Sequence, residues 1–577
     1  MASIYDKASL VLIPSGTKTS KVYSQKPTNG DGDFTFSRST AATRVNASGN
    51  IEKETQNLLT YSNDFTDSIW TKSNVTATGG QAGYDGSSDA YELSKTSGVG
   101  YSYIRQVVST SGIQTASVYA KAGTLDLLGL YLYDNNTNPY VTINLSTGAL
   151  YAKRGGSSEI DYKIEDKGSG WYRITYTFNA NVSVYYLYPD WSSTNTGNLY
   201  IQDAQLEQGL VARDYIETTT TAIYGGITDN VPRLDYTDSS CPSLLLEPQR
   251  TNLVTQSEYF GDSYWVKTDV SITSNSAVSP SGLTDAAKLT ENATNAEHKI
   301  YSYIITAVAG DRYTESFFAK SAERNWVYLE HEAVPLAWFD LSNGTIGTIS
   351  GAYNSSASIK EYGNGWYKCI VSYDANDTTS RAYIGVTNAD AVKTYLGDGS
   401  SGIYVWGAQL EQGSYATSYI PTYGSAVTRN ADSATAADQI NNQTAFSAYI
   451  EFDSLNKTSQ GDGQDMIVFG STAGGYWLRL YPYYTNEAVR WLVRGPSISN
   501  NVYFNYNPAT TSIKTCVVYN GVSTKFFFNG TLVYTETGET YPISTGGNIT
   551  IDSAAYKGFQ IFNTSLTDQE AIDLTTL

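Results

Sequence analysis

The chain holds two histidines, and any Ser–His–Asp or Cys–His arrangement must draw on one of them. His298 lies in the polar stretch Asn295-Ala296-Glu297-His298-Lys299, and His331 ends a strand-like run between Glu330 and Glu332. Neither is tied to a nucleophile motif, so both read as structural. No GxSxG elbow, P-loop, HExxH or dinucleotide fingerprint occurs in the sequence. Paired carboxylates for glycoside hydrolysis meet in space and not in sequence. Glu207 and Glu411 draw notice because each sits in an Ala-Gln-Leu-Glu-Gln-Gly segment. The same motif placed twice, just before the exit of a module, suits closure of a fold better than acid–base work. The expectation is a protein without catalytic residues. Asn29-Gly30-Asp31-Gly32-Asp33 has the oxygen-rich look of a calcium loop, with Asp31 and Asp33 as ligands. It lacks the later acidic ligand of an EF-hand and reads first as a tight turn. Structural calcium there is the one metal left open, and no other cofactor is expected.

Aromatic side chains are the stronger binding candidates. A sugar ring stacks its C–H face on Trp or Tyr, while neighbouring polar groups fix its hydroxyls. The C-terminal part offers Tyr476, Trp477, Tyr481, Tyr483, Tyr484, Trp491 and Arg494, and the first module offers Tyr185, Tyr188 and Trp191. Alternating aromatics also fill cores, and the sequence does not say which phase faces out.

Composition says what must carry these residues. Charged residues are 16% of the 577, so Ser, Thr, Asn, Gly and Tyr must cover much of the surface. Helical surfaces use Lys, Glu, Ala and Leu, whereas Tyr and Thr fit half-buried pleated ones. The net charge of −19 disfavours nucleic acid and anionic membranes as partners. Neutral glycans stay open. Three scattered cysteines, Cys241, Cys369 and Cys516, give neither a disulfide framework nor a zinc motif. The N-terminus lacks the basic start and apolar run of a signal peptide, and no stretch nears the ~18 apolar residues of a membrane span. Synthesis and solubility in a bacterial cytoplasm, without membrane insertion, are expected.

A repeat organises the chain. Asn57-Leu58 leads to Trp70, as Asn252-Leu253 leads to Trp265. Ser117-Val118-Tyr119-Ala120-Lys121 matches Ser316-Phe317-Phe318-Ala319-Lys320, and Gly170-Trp171-Tyr172-Arg173 matches Gly365-Trp366-Tyr367-Lys368. The Ala-Gln-Leu-Glu-Gln-Gly segments complete the series. Separations between partners drift by a few residues, as loop insertions between matched strands require. The paired tryptophans Trp70/Trp265 and Trp171/Trp366 read as core. Short alternating runs divided by Asn, Gly and Pro clusters predict antiparallel strands. The fold expected is all-β, tandem antiparallel jelly-roll or β-sandwich domains with almost no helix. The boundaries read as an N-terminal region 1–50, a first module 51–225, a linker 226–251, a second module 252–432 and a sandwich 433–577. In the last, Asn520-Gly521 and Asn529-Gly530 predict hairpins, and Thr567 predicts the N-cap of one short helix.

Those motifs carry resemblances. The run from Cys516 through Tyr519-Asn520-Gly521 to Phe528-Asn529-Gly530-Thr531-Leu532-Val533, with the ending Phe559-Gln560-Ile561-Phe562, is similar to concanavalin-A-like and laminin-G-like sandwiches. The repeated modules resemble carbohydrate-binding-module-like jelly rolls of phage structural proteins. Leu10 to Asn46, and Asn230 to Leu253, resemble segments of phage fibre and virion proteins. The resemblance implies a virion surface protein whose region 1–50 docks on the particle or on sister subunits. It implies a homo-oligomer, with the trimer common among fibres, other virion proteins as partners, and host-surface polysaccharide as ligand. A tail fibre or receptor-binding protein is the first reading. A capsid-bound head fibre or decoration protein is the alternative. A tailspike-like glycan depolymerase is third, since no β-helix repeat of 20–30 residues occurs.

Overall fold

The computed structural model describes residues 3–576 except 98–100, 191–193, 333, 438–443, 454–466, 471–476, 484–487, 496–497, 506–511, 538–547 and 553. Strand accounts for 54% of it and helix for 3%, so the chain is all-β. Two short α-helices, Ile4–Lys7 and Asp568–Thr575, stand among the described residues.

The first module is two six-stranded antiparallel sheets. One runs Glu159–Gly168, Trp171–Asn179, Ile113–Ala122, Gly197–Gln208, Ala90–Lys95, Val75–Gln81 in spatial order. The other runs Ala149–Arg154, Tyr140–Asn144, Leu127–Tyr133, Val182–Pro189, Tyr103–Thr110, Thr71–Ser73. The second module repeats both orders strand for strand, from Ser356–Glu361 to Val270–Ala277 and from Thr345–Ile349 to Trp265–Thr268. Each pair of sheets encloses an apolar core, with Trp70 in the first and Trp265 in the second. Both indoles donate to a backbone carbonyl at 2.8 Å, Tyr61 in one module and Gln256 in the other.

The repeated motifs are the closures of these sandwiches. The Asn57 amide donates to the carbonyls of Ala204 and Ile216, and its oxygen accepts from the N–H groups of Leu59 and Leu206. Asn252 does the same with Ala408, Ile420, Val254 and Leu410. A buried amide with two donors and one acceptor oxygen ties three segments at once, which a hydroxyl or an apolar side chain cannot do.

The region 1–50 and the linker 226–251 are not bodies of their own. Leu10–Leu12 and Ser243–Leu245 lie end to end along the Ala555–Phe562 strand, with Leu10 opposite Ile561 and Leu244 opposite Tyr556. Phe34–Ser37 pairs with Ser433–Ala437 in the facing sheet. Leu10, Leu12, Val22, Phe34, Phe36 and Leu244 are buried in the same core as Ile450, Phe452 and Phe559. The sandwich expected over 433–577 is thus completed by strands from both earlier regions. Their alternating apolar residues would otherwise face water.

Buried charge locks this junction. The Arg233 guanidinium meets the Glu247 carboxylate at 2.7 Å and pairs with Asp432. Arg38 meets Asp432 at 2.9 Å, and Arg429 meets Glu247 at 2.7 Å. Burial opposes ionisation of Glu247, but Arg429 and Arg233 outweigh it and hold the carboxyl below the usual carboxylate range.

Candidate functional site

In the sheet that contains Tyr103–Thr110, alternate residues point inward: Ile104, Leu130, Val141 and Leu187 are fully buried. The other phase forms an outer face of tyrosines. Register sets Arg105 opposite Tyr186, Tyr186 opposite Tyr131, Tyr131 opposite Tyr140, and Tyr140 opposite Arg154. One row therefore crosses five strands as Arg–Tyr–Tyr–Tyr–Arg. In the next row Tyr188 faces Gly129, which faces Thr142. Gly129 leaves that row without a side chain between Tyr188 and Thr142.

The rings brace one another. Tyr186 and Tyr188 lie nearly parallel, centroids 5.4 Å apart and planes 19° apart. Tyr103 and Tyr131 turn edges to both, at 5.2–5.7 Å. Tyr140 lies near-parallel to Tyr131 at 6.1 Å. Such offset and edge contacts fix ring orientation, which is what a stacking platform needs. The Arg105 guanidinium lies 5.6 Å from the Tyr186 ring and donates to its hydroxyl at 2.9 Å. The Arg154 guanidinium lies 5.2 Å from the Tyr140 ring and donates to the Asn138 carbonyl. Burial raises the Tyr131 and Tyr188 phenols above their ordinary values, so both stay neutral at physiological pH. Two shielded polar atoms on this face, Arg105 Nε and Thr142 Oγ1, have no hydrogen-bond partner. The arrangement offers aromatic faces, phenolic hydroxyls and guanidinium N–H groups to an extended ligand.

The structure sorts the expected binding residues. Tyr185 is fully buried against Trp70 and donates to the Ser117 carbonyl, so it has no free face for a sugar. The strand's phase is the reason: Tyr185 points in, and Tyr186 points out. Tyr188 belongs to the outer cluster but is 8% exposed, a wall of the face more than a platform. Trp191 lies outside the described residues. So do Tyr476 and Tyr484, and the side chains of Trp477, Tyr481, Tyr483, Trp491 and Arg494. Backbone pairing sets Trp477 opposite Arg494 and Trp491 opposite Leu480. Tyr103, Arg105, Tyr131, Tyr140, Arg154 and Tyr186 were not singled out from sequence. The Tyr-Leu-Tyr spacing at Tyr131–Tyr133 and Tyr186–Tyr188 is the signal that marks them, once the phase is known.

The second module's corresponding face is filled. Its Thr394–Leu396 segment pairs with Asn295–Glu297, and the Trp338 indole donates to Val392 at 3.1 Å. Lys393 bridges Glu330 at 2.7 Å and Glu297 at 3.1 Å, and Lys299 pairs with the same two carboxylates. Tyr328 is fully buried beneath this cover. Two concavities lie away from both faces. One, about 700 Å³, separates the modules beside Lys53, Arg213 and Tyr264. The other, about 1110 Å³, lies beside Arg312 and Asp374. Their polar walls are paired in part, Asn179 with Asp262 and Arg312 with Asp374, while Gln256 Oε1 in the first and Ser355 Oγ in the second have no hydrogen-bond partner.

The remaining candidates have structural surroundings. His298 is buried between the carbonyls of Asp269 and Tyr395, and His331 is buried beside Asn376, where burial lowers its pKa. The Glu207 carboxylate accepts from Gln205 and the Arg213 N–H, and the Glu411 carboxylate accepts from Gln409 and Thr417. Both hold the exit segment of their module. Asp33 is taken up by Lys21 and Ser24, and Asp31 closes a turn with Asn29. The Lys21 ammonium meets the Asp33 carboxylate at 2.7 Å.

No family model matches the sequence, and no curated protein matches it. Among solved structures, the chain is similar to the tandem CBM22-1–CBM22-2 domains of Xyn10C from Paenibacillus barcinonensis. Identity is 13%, over 62% of this chain and 97% of that one, with a TM-score of 0.21. It is also similar to the LG1–3 region of the laminin α2 chain, at 9% identity over 80% and 95%, with a TM-score of 0.17. Domain 4 of AbnA, an arabinanase from Geobacillus stearothermophilus solved with arabinotriose, shows 13% identity over 29% and 82%, with a TM-score of 0.22.

Proposed function

We propose that this chain is a non-enzymatic glycan-binding protein of a bacteriophage particle surface, and that its first module holds the sugar. The observation that carries this reading is the braced tyrosine row Tyr186–Tyr131–Tyr140, half-buried on the outer face of its sheet. Stacked sugar needs rigid aromatic planes with donors at their rims, and this face supplies both. The second module, with its face closed by its own ion pairs, acts as a spacer. The resemblance of Leu10–Asn46 and Asn230–Leu253 to virion proteins supports the location, with host attachment from a tail fibre as the first role. Strands of the region 1–50 are built into the C-terminal sandwich, so docking on the particle would use that domain's outer surface and not a free arm.

A glycan array probed with the full chain tests the binding. Wild type should be retained by host-surface polysaccharide with no new reducing ends released, and Tyr131→Ala/Tyr186→Ala should lose retention. Equal retention of both would sink the site, and release of reducing ends would sink the non-enzymatic reading. Immunogold labelling of intact particles then tests location. Gold at the tail supports host attachment, and gold over the head favours the decoration or head-fibre alternative.

A further inference from the structure

The sheet that carries the tyrosine row is free of acid. Its six strands, Thr71–Ser73, Tyr103–Thr110, Leu127–Tyr133, Tyr140–Asn144, Ala149–Arg154 and Val182–Pro189, contain no Asp or Glu, although the chain has 56. They do contain Lys72, Arg105, Lys153 and Arg154. The opposite sheet of the same module is different, with Glu92, Glu159, Asp161, Glu165, Asp166, Asp203 and Glu207 on its strands. The matching sheet of the second module holds Glu297, Glu330 and Asp340. The nine-stranded sheet that holds Phe34–Ser37 and Ser433–Ala437 is acid-free as well, so the depletion marks these two large sheets and is not general to the fold.

The two arginines of that face close the row at both ends. Among the described residues, neither guanidinium meets a carboxylate. Arg105 is held by the Tyr186 hydroxyl and Arg154 by the Asn138 carbonyl, so each is oriented without being neutralised. The nearby acids are engaged elsewhere: Asp134 accepts the N–H groups of Asn136 and Asn138, and Glu159 pairs with Lys153. Arg105 and Arg154 stand four strand spacings apart, about 19 Å at the usual separation of paired strands. A single sugar cannot touch both. A polymer that crosses the strands can, with its rings on Tyr186, Tyr131 and Tyr140. Guanidinium groups match carboxylates in shape as well as charge. In a chain of net charge −19, a locally positive, acid-free face selects an anionic ligand that the rest of the surface repels.

We infer that the ligand of the first module is an acidic polysaccharide, with carboxylate-bearing sugars that meet Arg105 and Arg154 at the two ends of the tyrosine row. This rests on the glycan-binding reading above and narrows its substrate class. The test is affinity electrophoresis of the full chain in gels that hold polygalacturonate, alginate or hyaluronan, each beside its carboxyl-reduced counterpart. At least one acidic polymer should retard the chain tenfold more strongly than its reduced form, and 0.5 M salt should weaken that retardation. Arg105→Gln/Arg154→Gln should lose the preference, and Arg105→Lys/Arg154→Lys should keep most of it. Equal retardation by acidic and reduced polymers, abolished by Tyr131→Ala/Tyr186→Ala, would overturn the acidic class and leave the glycan face standing. Retardation by no polymer of either kind would overturn both.

Discussion

Tyr185 and Tyr186 are neighbours with opposite fates. One fills the first core and the other stands on the outer face, because a strand sends successive side chains to opposite sides. Composition and alternation make the aromatic-rich strands legible, but both phases of Val182–Pro189 contain tyrosine, so hydrophobicity does not choose between them. That is why the sequence led to Tyr185 and missed Tyr186, Tyr131 and Tyr140. Asp203 shows a second effect of burial at this scale. It sits in a bulge of the Gly197–Gln208 strand, accepts from the Tyr84 hydroxyl at 3.0 Å, and burial pushes its pKa up to about 7 from 3.8. The folded form therefore holds this proton more tightly than the unfolded form. The stability it contributes is complete below about pH 4 and is lost as pH rises through about 7. Asp203→Asn should be more stable than wild type at pH 8, by on the order of a few kcal/mol. The difference should vanish near pH 4. Urea melts at the two pH values check it, and a gain of equal size at both would contradict the burial argument.

At the scale of elements, the local signals that carry their own geometry were readable. Asn529-Gly530 forms the two-residue hairpin turn, with both residues at positive φ as a type I′ turn demands. Thr567 caps the terminal helix in a reciprocal box with Glu570. The repeated Asn-Leu and Ala-Gln-Leu-Glu-Gln-Gly segments were readable as a pair, and the structure supplies the reason they recur together. Asn57 and Asn252 each join the module entry to its last strand and to its exit. Replacing either by Ala strands buried backbone groups, at about 1–3 kcal/mol for each group left without a partner. Asn252→Ala should lower the urea midpoint of the second module more than Asn388→Ala, an exposed change in the same module. Equal shifts would contradict the hub. Pairing between distant segments was not legible. Leu10–Leu12 and Ala555–Phe562 are ordinary strand sequences, and nothing local in either names its partner at the other end of the chain.

For the whole molecule, that distant pairing makes the C-terminal sandwich a product of three regions of sequence. A fragment of residues 433–577 lacks the Leu10–Leu12, Phe34–Ser37 and Ser243–Leu245 strands, so it should fail to fold alone. Far-ultraviolet circular dichroism and hydrogen exchange check this, and a cooperative melt of the fragment would contradict it. Glu247→Ala leaves Arg233 and Arg429 buried without their shared carboxylate and should cost about 3–5 kcal/mol. On the proposed function, the first module's tyrosine face binds glycan while the second module's covered face does not. Isothermal titration of a retained polysaccharide into three proteins tests this: wild type, Tyr131→Ala/Tyr186→Ala, and the second-module variant Tyr301→Ala, whose ring lies in the corresponding sheet opposite Tyr383 and beside the Arg381 guanidinium. Each lost platform ring should cost more than about 1 kcal/mol, so the double variant should bind at least about tenfold more weakly. Its melting temperature should stay close to that of wild type, and Tyr301→Ala should bind as wild type does. Unchanged affinity in the double variant, or an equal loss in Tyr301→Ala, would contradict binding at the first module's tyrosine face.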